Sequence, residues 1–269
     1  MKRVGLYRRY AFEFALIAAA MVISVLGFWN IYLGPEAAAQ PHHHLHLATA
    51  FMWMGLLLFQ LMLIAGNHRE KHRKVGLAVL VAGPLLVATT AMLSVHSAHK
   101  GVVSGEGDFL IIQNVMVTIE LGVLIVLAFL LKQRRKLHGS LLLSTTILFM
   151  GIALFFALIS FVPQYRIEGP ETFYRFQMAG MTGQIICAAV GLFFFLRDRK
   201  NGWPFLAAGL CVPFNDALRM LLGKFGLIDL LTEMVGSMNQ PATFITTFAL
   251  LLALLAATAL PAVRQPRAI

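Results

Sequence analysis

The chain has 269 residues, 59% of them hydrophobic and only 13% charged, with a mean hydropathy of +0.77. Soluble domains are nearer ~45–50% apolar, so the composition excludes a soluble globular protein and predicts a polytopic membrane protein. A net charge of +10 suits a nucleic-acid binder only if the cations share one face; here they sit in short loops, and no nucleic-acid partner is expected.

Cutting the sequence at those loops gives eight candidate spans, at 11–33, 45–66, 76–97, 109–131, 140–162, 177–196, 204–222 and 241–262. At about 1.5 Å per residue, such runs cross a hydrocarbon core of about 30 Å. With the N-terminus cytoplasmic, 17 of the 22 Lys and Arg fall inside, while most acids, among them Glu36, Glu106, Asp108, Glu168 and Glu171, fall outside. That is the asymmetry which orients membrane proteins. Seven spans would strand Arg264 and Arg267 outside. The expected fold is therefore an all-α integral membrane bundle of about eight transmembrane helices, one domain over 1–269, with both termini cytoplasmic. The expected setting is a bacterial inner membrane, with the lipid bilayer as first partner.

Span one carries Glu13 near its inner end, expected to pair with Arg8 or Arg9. Its apolar run exceeds the ~7–15 residues of a signal-peptide core and reads as a retained anchor, despite Ala37-Ala38-Ala39. The stretch Pro41-His42-His43-His44-Leu45-His46 leads into span two, which holds Trp53 and, in its inner half, Gln60. Span three contains Gly83-Pro84, expected to kink it because proline has no N–H for the carbonyl one turn back. It ends on Ser94, His96 and His99. Span four carries Gln113, Asn114 and Glu120. The polar loop 163–177 mixes Arg166, Glu168, Glu171 and Arg175, able to ion-pair internally or to cap an outer cavity.

Thr182 and Gln184 mark span six. Span seven is interrupted by Pro204, Pro213, Asn215-Asp216, Arg219, Gly223 and Gly226, the pattern of a broken helix lining a binding site. Residues 225–237 place Asp229, Thr232, Glu233 and Ser237 on one stripe and predict a helix in the outer interface. Cys187 and Cys211 fall in apolar runs and read as small buried hydrophobes, with no disulfide framework.

Antiparallel neighbours bring the start of span two beside the end of span three, so His42, His43, His44 and His46 approach His96 and His99. His42 and His46 (i,i+4), and His96 and His99 (i,i+3), share helix faces as chelating pairs must. Imidazole suits zinc, copper, nickel and haem iron. The expected metal ligands are His42, His43, His46, His96 and His99, with Cu or Zn bound; a solvated histidine-rich loop is the alternative. At the opposite end, His68, His72 and His138 stand among Arg69, Lys71, Arg73, Arg134 and Arg135. That charge favours an anion, such as a lipid phosphate or haem propionate, or simply sets topology. The two His-x-x-x-His boxes lie 26 residues apart, about 39 Å along one helix, too far to share a di-iron pair.

The run His46-x(13)-Gln60 followed by His72-Arg73-x-x-Gly76 resembles an uncharacterised bacterial multi-pass membrane family, over about residues 42–100. In that family a histidine opens one helix, a glutamine lies within it, and His-Arg-x-x-Gly opens the next. The general architecture is also similar to cytochrome b561-type proteins. That likeness implies b-type haem held by His46 and His96 at the outer face and by His72 and His138 at the inner face, passing electrons within or across the membrane.

Glu120, Asn215, Asp216 and Arg219 form a third group. Intramembrane ionisable groups mark ion or proton paths, while a neutral, hydrogen-bonded carboxyl is the competing reading for Glu120 and simple i,i+3 pairing that for Asp216 and Arg219. Three functions stay open. They are a haem electron carrier, a Cu/Zn-binding transporter or chaperone loaded by the outer histidines, and a non-catalytic subunit of a larger membrane complex. No catalytic residue is assigned.

Overall fold

The computed structural model describes residues 8–34 and 37–259, and among these every regular element is helical. The elements are α1 (Ala11–Gly27), α2 (Trp29–Tyr32), α3 (Pro41–Ala65), α4 (Arg69–Gly76), α5 (Val79–Ser104) and α6 (Ile111–Leu130). They continue as α7 (Arg135–Phe161), α8 (Tyr174–Arg197), α9 (Trp203–Lys224), α10 (Leu227–Gly236) and α11 (Gln240–Ala259). Seven helices are long and apolar enough to cross a membrane, and they match predicted spans two to eight. Predicted span one is shorter than expected: α1 has 17 residues and gives way at Phe28 to the four-residue α2. The predicted placement of the termini, with Lys2, Arg3, Arg264 and Arg267, lies outside the described residues, as does Glu36.

Two helices act as hubs. α5 packs against α3, α6, α10 and α11, whereas α7 packs against α1, α6, α8 and α9. Between these hubs the core closes on Trp53, which is fully buried among Leu86, Leu121, Ile125, Leu141 and Ile147. Its indole Nε1–H donates to Thr145 Oγ1 at 2.9 Å, tying α3 to α7. Lipid offers no hydrophobic drive between helices, so such bonds and close packing carry association. Trp53→Phe removes the donor and part of the ring. It is expected to cost about 1–2 kcal/mol, read as a lower midpoint of thermal unfolding in detergent.

Pro84 and Pro213 both lie inside helices. α5 runs continuously through Pro84 and α9 through Pro213, so predicted span seven is not broken. The carbonyl each proline leaves without a donor is tolerated where neighbouring helices pack around it, and Pro204 sits in the first turn of α9, where its missing N–H costs nothing. α10 forms where an interfacial helix was predicted. Its stripe divides, however: Thr232, Val235 and Gly236 are buried where α10 packs on α5, while Asp229 and Glu233 are exposed.

The inter-helical loops gather at two ends. At the basic end, Lys136 pairs with Asp198 at 3.6 Å and Lys132 Nζ donates to the Thr258 carbonyl. Glu13 pairs with Arg197 at 3.4 Å rather than with Arg8 or Arg9. The guanidinium of Arg197 lies 4.5 Å from the ring centroid of Phe12, which brings it to the Glu13 side of α1. At the histidine-rich end, Asn30 Nδ2 donates to Ser160 Oγ at 3.1 Å. The polar loop before α8 pairs internally, Arg175 with Glu168 at 3.5 Å, and its Phe173 and Tyr174 line a cleft.

Candidate metal centre at the histidine-rich end

The centre begins with how α3 starts. Gln40 is extended (φ −91°, ψ 161°), as a residue before proline must be, and Pro41 occupies the first turn, where its fixed φ suits a helix. The Gln40 backbone N–H donates to His43 Nδ1 at 3.0 Å, half of a reciprocal cap. This folds the His43 ring back toward the helix N-terminus, the direction in which helical Cα–Cβ bonds tilt.

His43 thereby lies against His42, with ring centroids 4.2 Å apart, and His42 lies against His96 of α5 at 3.8 Å. The His43 and His96 centroids are 5.8 Å apart. One ligand atom from each of His42, His43 and His96 falls within 4.8 Å of the other two. Among the described residues, His42 Nε2 is buried without a hydrogen-bond partner. Tetrahedral zinc with Zn–N of 2.0–2.1 Å needs ligand nitrogens about 3.3 Å apart.

The other predicted ligands go elsewhere. His46 Nδ1 lies 3.3 Å from Thr89 Oγ1, which in turn meets Thr49 Oγ1 at 2.8 Å. Thr89 is seven residues before His96, about 10 Å along α5, so His46 and His96 occupy different levels of the bundle. His99 Nδ1 bonds the Gly236 carbonyl at 3.2 Å and ties α10 to α5. His44 packs edge-on to Tyr32 at 5.4 Å. The three imidazoles that converge are therefore not the predicted i,i+4 and i,i+3 pairs. Neighbouring His42 and His43 converge because the cap turns the second ring back over the first.

At the basic end, the glutamine of the quoted pattern meets its histidine and glycine. With the Gln60 carboxamide oriented so that both of its atoms are satisfied, Oε1 accepts from the Gly76 N–H at 2.8 Å and Nε2 donates to the His72 carbonyl at 3.2 Å and to His72 Nδ1. Nδ1 is then an acceptor, so the neutral ring carries its proton on Nε2 and presents an N–H to its surroundings. His138 has the opposite tautomer, since its Nδ1 lies 2.8 Å from the Ala128 carbonyl, which can only accept.

Burial holds the His72 imidazole below the ordinary histidine pKa, and the nearby His138 lowers it further. The neutral form is thus favoured in the fold. Stability from this contact is fully present above the unfolded value of about 6.5 and is lost as pH falls from there through the folded value, because the unfolded chain takes up the proton first. The unfolding midpoint is expected to drop between pH 7.5 and 5.5, and to drop less in His72→Gln.

The intramembrane polar residues divide into two groups on α9. Asp216 accepts from Gln113 Nε2 of α6 at 2.8 Å, from Gln184 Nε2 of α8, and from Arg219 Nε at 3.5 Å. Deeper, Asn215 and Cys211 face the Glu120 carboxyl closely enough to interact electrostatically. Glu120 Oε2 and both amide atoms of Asn215 nevertheless make no hydrogen bond among the described residues. The histidine triad is carried by α3 and α5, whereas this group is carried by α6, α8 and α9. Gln184 was noted in the sequence only as a polar residue; as a donor across helices to Asp216 it had no local signal, because its partner is 32 residues away.

Compared with family models, with curated proteins and with solved structures, the chain matches none.

Proposed function

We propose that this chain is a multi-pass membrane protein that binds an exchangeable late transition-metal ion, zinc or copper, through His42, His43 and His96. The observation that carries this reading is the convergence of three imidazole ligand atoms within 4.8 Å from two helices. Three nitrogen ligands leave one coordination position open, which suits a cargo or transfer site, whereas structural zinc sites are closed by four protein ligands. Imidazole donors favour zinc, copper or nickel over magnesium or calcium. By the charge asymmetry of the loops the triad faces outward, where it would capture metal for delivery or import.

The haem electron-transfer reading rests on His46 with His96 and on His72 with His138. His46 bonds Thr89 two turns from His96, and His72 presents an N–H where a ligand presents a lone pair; the geometry supports it less well than the metal reading. Titration of the purified protein with cobalt(II) tests the choice. Saturable d–d absorption at one ion per chain, displaced by zinc, is the expected result. A Soret band in protein from haem-replete cells, with no cobalt uptake, would overturn it in favour of haem. Absence of both would leave a non-catalytic subunit as the remaining class.

A further inference from the structure

We propose that the cleft between α6, α7, α8 and α9 binds a neutral, ring-bearing, lipid-soluble alcohol or phenol. This inference is independent of the metal reading, and its residues are separate from the histidine triad. The cleft has a volume of about 360 Å³, within the range of small-molecule sites, which combine mostly apolar walls with a few placed polar groups.

Its walls argue for a ring. Phe176 stands edge-on to Phe109 at 5.2 Å and to Phe155 at 4.7 Å, and Phe155 to Phe156 at 5.1 Å. Such an array receives a flat apolar body by the same offset and edge-to-face contacts.

Its base argues for the head group. Asp216 and Arg219 pair there and cancel in charge, so the base favours a neutral ligand. An organic cation is disfavoured further, because the face of Phe109 is already taken by the Arg219 guanidinium at 4.6 Å. Gln113 is 8% exposed and lines the cleft. Its amide nitrogen is committed to Asp216, since a carboxylate accepts and cannot donate, and its Oε1 is left buried without a partner among the described residues. A buried orphan acceptor costs about 1–3 kcal/mol and calls for a donor. Arg219 uses Nε on Asp216, and its terminal nitrogens make no hydrogen bond among the described residues. They call for an acceptor beside that donor. A hydroxyl is the smallest neutral group that supplies both. Met181 and Met220 at the edge of the cleft are exposed on apolar helices, so the entry route is lateral, from lipid.

The test uses 4-nonylphenol carrying a diazirine in its alkyl tail, photolysed with the full-length protein in lipid nanodiscs, with labelled peptides mapped by mass spectrometry. Label is expected on α8 and α9 around Met181 and Met220. Excess 4-nonylphenol should compete it away, and the methyl ether 4-nonylanisole, which has no donor, should compete at least tenfold less well. Gln113→Leu should lower site labelling about tenfold. Gly180→Leu provides a second variant, because Gly180 lines the cleft and a Cβ there meets no atom within 4 Å among the described residues, so the added side chain would enter the cleft without backbone strain. Labelling spread evenly over lipid-facing helices, equal competition by the ether, or full labelling of a folded Gly180→Leu protein would each overturn the proposal.

Discussion

Gly209→Val is expected to destabilise the bundle by about 3 kcal/mol, near the upper end for overpacking, by forcing α9 away from α8. A Cβ at Gly209 would lie 2.5 Å from the Cys187 carbonyl oxygen, and one at Gly191 only 2.4 Å from that of Phe205. In both cases the obstacle is backbone, which cannot rotate aside as a side chain can. Small residues that let backbones touch are the means by which helices associate in lipid, so separating the pair forfeits contacts along the whole α8–α9 interface. The separation would also disturb Asp216, whose partner Gln184 lies on α8. Gly180→Val is the control: its Cβ meets open space, and a change within about 0.5 kcal/mol is expected. Equal midpoints for the two variants in denaturant titration would show that the close approach at Gly209 is not limiting.

Hydropathy made the long helices legible. Seven of the eight predicted spans recur because an apolar run of that length in lipid has only one way to satisfy its backbone. Local punctuation was less reliable, for a physical reason. Pro213 read as an interruption of span seven, yet α9 continues through it, as α5 does through Pro84, since packing from neighbouring helices compensates the missing bond. The histidine cluster was legible in place but not in membership. Antiparallel pairing brought His42 and His43 to His96, whereas His46 and His99, grouped with them by helical periodicity, meet Thr89 and Gly236 through tertiary contacts. Gln60 shows the opposite case. Its spacing to His72 and Gly76 was visible as a pattern, and the structure supplies the reason: one carboxamide bonds the first turns after the loop.

His96→Ala is expected to abolish saturable zinc or cobalt binding, a loss exceeding the ~10–100-fold typical of removing a partner behind a ligand. It deletes the only ligand that α5 supplies to the triad. His46→Ala should change affinity by no more than a few-fold, because His46 is held by Thr89. The haem reading requires both residues, so equal damage from the two substitutions would favour it. The cap at Gln40 sharpens the test further. While His43 Nδ1 accepts the Gln40 N–H, its lone pair is in use and its neutral proton lies on Nε2. Metal on Nδ1 takes that lone pair directly, and metal on Nε2 moves the proton to Nδ1, so either mode breaks the cap. Gln40→Pro removes the competing N–H at an extended position, where φ of −91° has to close by about 25° to reach proline's −65°. Relief of a cap worth about 1 kcal/mol should tighten binding about fivefold. Lowering the pH through the histidine range should weaken binding in every variant that binds, because protons and metal compete for the same nitrogens. A Gln40→Pro protein that bound metal more weakly than the parent would place His43 outside the ligand set and reduce the centre to His42 and His96.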